Sequence, residues 1–135
     1  GDRQWTLRPV ETWGLKQAGI VRFDPADATQ PLRAPAQLDR AWLRDTVYAP
    51  WRRAADEGFG VMIGEFGAYQ FTPHAVVLRW MQDVLTTARD AGWGWALWEF
   101  RGGFGVLDSR RTDVAYETWE GHQLDRALLE LLQRL

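Results

Sequence analysis

"VMIGEFGAYQF", residues 61–71, sets one carboxylate, Glu65, between Gly64 and Gly67 at the end of a short apolar run. "WGWALWEFRGGFG", residues 93–105, repeats the arrangement, with a compact apolar run, then Trp98 and Glu99, then glycines. Both runs are too apolar on either face for a solvated antiparallel sheet. They predict two short strands, Val61–Gly64 and Trp93–Trp98, in a covered parallel one. Between them Thr72 and Pro73 mark a helix start, because threonine can cap free amides and proline fits the first helical turn. The helix follows a stripe of Val77, Trp80, Met81, Val84, Leu85 and Ala88 and closes at Gly92. After the second strand "RGGFGVLDSRRTD", residues 101–113, leads to a last helix with the face Leu124, Leu128, Leu131, Leu132 and Leu135. Upstream, Leu38, Ala41, Trp42, Ala54 and Ala55 suit a helix ending near Gly58, which Pro50 splits near Ala49. Helix, strand, helix, strand, helix with short links is the order of right-handed βαβ units, so the fold class expected is α/β.

Composition sets the limits around this frame. The chain has 135 residues, 46% hydrophobic and 25% charged, which predicts one domain, 1–135, with a sizeable core. Residues 1–37 carry Pro9, Pro25, Pro31 and Pro35 and no sustained period, and are expected to be irregular apart from one extended piece, Gly19–Phe23. The βα units then occupy 38–135. A net charge of −2, with Lys16 the only lysine, gives no basic footprint for nucleic acid or anionic lipid. With no cysteine, no thiolate metal site exists. No apolar run nears the roughly 18 residues that span a bilayer, and "GDRQWTLRPVETWG" lacks the apolar core of a secretion signal. The chain holds nine tryptophans: Trp42 and Trp80 suit a core, whereas Trp5, Trp13 and Trp98 sit where a flat ring can meet a sugar face.

In parallel sheets ligands bind at the carboxyl ends of the strands, where Glu65 and Trp98 fall. A carboxylate there, flanked by glycines, can act as nucleophile, base or ligand while its strand stays apolar. The competing reading of the same residues is a buried glutamate paired with an arginine such as Arg101. His74, at a helix start, and His122, before the last helix, suit structural or surface roles. Neither has metal-ligand spacing, and no metal or cofactor is expected.

"IGEFGAY" followed by "TPH", a helix, and "GWGWALWEFRGGFGVLD" closely resembles the seventh and eighth βα units of glycoside hydrolase family 5, the cellulase-like (β/α)8 barrels. The resemblance covers roughly 38–135 well and the first 37 residues loosely. It implies a partial, half TIM barrel and a retaining β-1,4-glucan hydrolase. By position it implies that Glu65 is the catalytic nucleophile and Trp98 the floor of the subsite holding the attacked sugar. Glu99 and Phe104 match neighbouring positions that can touch substrate, although Glu99 follows Trp98 and should face the opposite side. Tyr69 can line the cleft or be a packed loop tyrosine. A β-glucan oligosaccharide or polysaccharide is the implied partner, and secretion the implied location.

A complete barrel needs about 250 residues, so this chain corresponds to close to half of one. Retaining hydrolysis uses two carboxyl groups about 5–5.5 Å apart. The family's acid/base glutamate follows an asparagine, and this sequence contains no Asn. Glu11, Glu99 and Glu117 have no context that marks them as substitutes. The expected function is therefore a hydrolase fragment with the nucleophile and without the acid, of weak or no activity alone. The alternatives are a non-catalytic carbohydrate-binding or assembly half-barrel, and an inert folding unit. Unpaired strand edges beside apolar faces further predict dimerisation that completes the sheet.

Overall fold

The computed structural model describes residues 6–12, 15–21 and 37–134. The chain divides into two compact units, Gly1–Asp39 and Arg40–Leu135. In the first, β1 (Thr6–Thr12) and β2 (Leu15–Val21) pair antiparallel, from Thr6 opposite Val21 to Thr12 opposite Leu15. β3 (Gln37–Leu38) joins β1 in parallel at Glu11 and Thr12. The expectation of irregular structure across 1–37 is thus corrected for β1 and β2. Pro9 is tolerated in the strand because β3 pairs with β1 only at Glu11 and Thr12, so among the described residues no second ladder needs an N–H at Pro9. Trp5, Trp13, Pro25, Pro31 and Pro35 lie outside the described residues, as does Leu135.

The second unit opens with one helical turn, α1 (Arg40–Trp42), which widens into a π-type turn at Leu43–Val47 before α2 (Ala49–Asp56). Pro50 in the first turn of α2 cannot donate to the preceding turn, so the ladder breaks where the sequence places it. Tyr48 N donates instead to Leu43 O over 2.8 Å, closing the wide turn. β4 (Met62–Phe66), α3 (His74–Ala91) and β5 (Gly94–Leu97) form a βαβ unit with β4 and β5 parallel. Val77, Met81, Val84, Leu85 and Ala88 of α3 are fully buried, the stripe the sequence predicts. Each large side chain there contributes about 1.5–3 kcal/mol of transfer free energy. Gly92 ends α3 at φ +70°.

The start of α3 departs from expectation. Thr72 makes no capping hydrogen bond. His74 N instead donates to Asp113 Oδ2 at 2.6 Å, so the cap comes from 39 residues away. A second departure follows β5. Before α4 (Arg126–Arg134) the chain forms a hairpin, β6 (Glu117–Trp119) with β7 (His122–Leu124), around the two residues Glu120 and Gly121, both at positive φ. Asp125 Oδ1 then accepts from Leu128 N at 3.0 Å and caps α4. Leu124, Leu128 and Leu131 are buried, whereas Leu132 is only half-buried.

Among the described residues of this unit, one face of the β4–β5 pair is covered. Phe66 packs on Trp80 of α3 and edge-on against Trp95, while Met62 is 60% exposed over Gly94. The expected covering of both faces is not found among the described residues.

Candidate active site

Glu65 owes its direction to an irregularity in β4. Ile63 pairs with Trp95 and Phe66 with Leu97, so β4 spends three residue steps where β5 spends two. Such a bulge lets Ile63 and Phe66 face the helix layer together. Glu65, adjacent to buried Phe66, then points to the open face and is exposed. It makes no hydrogen bond or ion pair among the described residues. Arg101, its alternative partner in the sequence, donates from Nε to Asp108 Oδ2 at 2.6 Å instead.

Trp98 stands at the end of the neighbouring strand. Its amide donates to Phe66 O at 2.8 Å, which extends the pairing past the last regular residue of β5. The indole is 53% exposed. Leu97 shares the face of Phe66, so alternation sends Trp98 to the face of Glu65. Gly67 fits beneath this junction because a Cβ there would collide with the Trp98 carbonyl and stand 3.3 Å from Phe104 Cδ1. Glu99, joined to Trp98 by a cis peptide, folds its carboxylate over Gly102. Gly102 has φ +126°, and no side chain fits between it and that carboxylate.

Tyr69 and Phe104 meet with ring centroids 5.0 Å apart, and Phe71 packs edge-on against Tyr69 at 5.2 Å. Tyr69 is 45% exposed and Phe71 82%. The structure therefore brings Glu65, Trp98, Phe104 and Tyr69 to one end of the β4–β5 pair, with Glu99 turned onto the glycine loop.

Polar residues that the sequence reading does not single out hold this end together. Arg111 is buried and donates from Nη1 to the carbonyls of Thr72 (2.8 Å) and Tyr69 (3.2 Å), and from Nη2 to Ala68 O. Its amide donates to Tyr116 Oη at 2.7 Å, and Ser109 Oγ lies 2.8 Å from the same hydroxyl. Burial pulls the Arg111 pKa below the ordinary arginine value, opposed by the nearby charges of Asp125 and Asp113. Asp108 accepts from Gln123 N (2.9 Å) and Arg101 Nε, and its Oδ2 lies 2.8 Å from His122 Nδ1. The backbone bond from Gln123 is foremost in lowering its pKa to about 2. His74 Nε2 lies 2.7 Å from buried Asp125 Oδ2. Both histidines thus face carboxylates with structural roles: Asp108 ties the glycine-rich loop to β7, and Asp125 caps α4. The signal available in the sequence was the charged run Asp108–Asp113 inside an otherwise glycine-rich connection. Among the described residues no group of three or more His, Asp or Glu is placed to hold a metal, and no helix is long and apolar enough to cross a membrane.

Comparison with solved structures defines the class. A glycoside hydrolase crystal structure matches at TM-score 0.66 and 40% identity over 71% of this chain and 29% of that one. Endoglucanase Cel5A from the hyperthermophilic Thermotoga maritima matches at TM-score 0.55 and 29% identity, over 73% of this chain and 28% of that one. The same enzyme in complex with mannotriose matches at TM-score 0.55 and 29% identity, over 75% of this chain and 29% of that one. No family model and no curated protein matches. The chain thus resembles a segment of glycoside hydrolases, endoglucanases among them. It spans less than a third of the length of those enzymes, so the similarity is to a partial segment of a barrel fold.

Proposed function

We propose that this chain carries the nucleophile-bearing segment of a retaining β-1,4-glucan hydrolase of family 5. Glu65 attacks the anomeric carbon and Trp98 supports the sugar ring beneath it. Tyr69 and Phe104 line the approach, and Glu99 borders it from the glycine loop. The observation that carries this reading is the joint exposure of Glu65 and Trp98 at the carboxyl ends of paired parallel strands, Glu65 without a partner among the described residues. The Cel5A complexes with cellobiose and mannotriose favour a short β-linked oligosaccharide as ligand. The acid/base is not supplied by this chain, so natural glycosides turn over weakly or not at all.

An aryl β-cellobioside separates the two roles, because a phenolate leaves without a proton donor. Native chain is expected to release phenolate, and Glu65→Gln to lower that release about 100-fold or more. Equal rates from the two would remove Glu65 from the mechanism. A second reading, a non-catalytic glycan-binding or assembly half-barrel, is favoured by the exposed aromatic group Trp98, Tyr69 and Phe71. Cello-oligosaccharide binding without phenolate release, lost in Trp98→Ala, would select it. We also propose that a second copy covers the open face of β4 and β5. The two-stranded sheet and exposed Met62 support this.

A further inference from the structure

We infer that Arg111 is a positioning residue that fixes the aromatic wall of the site, Tyr69 and Phe71, relative to Glu65. The inference rests on the glycan-site reading above. A guanidinium removed from water normally faces a carboxylate. Arg111 has none within ion-pair distance among the described residues. Its terminal nitrogens are used on three backbone carbonyls, those of Ala68, Tyr69 and Thr72, and its Nε is buried without a partner. All three carbonyls belong to the connection between β4 and α3, which begins two residues after Glu65 and carries Tyr69 and Phe71. A planar fork reaches three carbonyls of one turn at once, whereas an ammonium group on a flexible stem does not. The same turn is closed by Thr72 N donating to Tyr69 O at 2.8 Å. With the turn held, the Tyr69 ring rests on Phe104, which in turn lies beside Gly67 and the Trp98 carbonyl. Arg111 touches no substrate in this scheme and acts through Tyr69.

The test compares native chain with Arg111→Lys, which keeps the charge and loses the fork. Amide hydrogen exchange followed by NMR, without ligand, is expected to speed up about tenfold or more at Thr72 while Met81 and Leu85 in α3 keep their protection. Cellotetraose affinity is expected to fall about tenfold, and the loss to vanish when both chains also carry Tyr69→Ala. Unchanged Thr72 exchange overturns the inference, as does a loss of protection shared equally by Met81 and Leu85. Native-like cellotetraose affinity in Arg111→Lys overturns it as well. Should the native chain bind no cellotetraose, the glycan-site reading fails, and the Thr72 exchange rate still decides whether Arg111 holds the turn.

Discussion

Asp108 gathers a backbone amide, a guanidinium and an imidazole on one carboxylate, and so joins the glycine-rich loop to β7. Its folded pKa of about 2 lies below the roughly 3.9 of an unfolded aspartate. A depressed carboxylate stabilises the fold fully above the unfolded value, and that stabilisation is lost as pH falls through the folded one. The loop–hairpin contact should therefore weaken between about pH 4 and pH 2. The Gln123 amide resonance should titrate with a midpoint near 2 in native chain and lose that titration in Asp108→Asn. A midpoint near 4 would contradict the assignment. At this scale the sequence was legible where a residue broke a pattern: Glu65 interrupts an apolar run, and Trp98 closes one. Asp108 and Arg111 were illegible because they lie in an aperiodic loop, and their partners, Gln123 and Ala68 to Thr72, are distant in sequence.

Elements were legible in proportion to their periodicity. The stripe of α3 and Gly92 place its end to the residue, and Pro50 locates the break before α2. The two antiparallel pairs were missed, although the second has the two-residue connection ending in glycine that marks a tight turn, Glu120-Gly121. Short strands without clean alternation leave little else to detect. The start of α3 separates local from tertiary capping. Asp113→Ala should cost about 1 kcal/mol and lower the melting midpoint of a unit this size by about 4–8 °C. Thr72→Ala, at the residue local rules would choose, should stay within about 0.5 kcal/mol. Calorimetry of the two variants checks the assignment, and a larger loss for Thr72→Ala would reverse it.

For the whole molecule, the sequence conveyed the class of enzyme segment through two ordered motifs, and the solved structures agree over about 70% of the chain. How the outer edges of β4 and β5 are covered was not legible, because edge pairing depends on groups that any sequence shares, N–H and C=O. If a second copy covers them, sedimentation should show a concentration-dependent dimer, and Met62→Lys should shift it towards monomer at least tenfold in dissociation constant. Native chain that stays monomeric at high concentration would refute the association. The bulge in β4 carries a different lesson. Whether the acid at 65 looks outward or into the apolar layer is a question of odd or even spacing, decided by one supernumerary residue. Chain length in this segment then matters as much as side-chain identity: removing the extra residue of β4 keeps the carboxylate and turns it into the apolar layer.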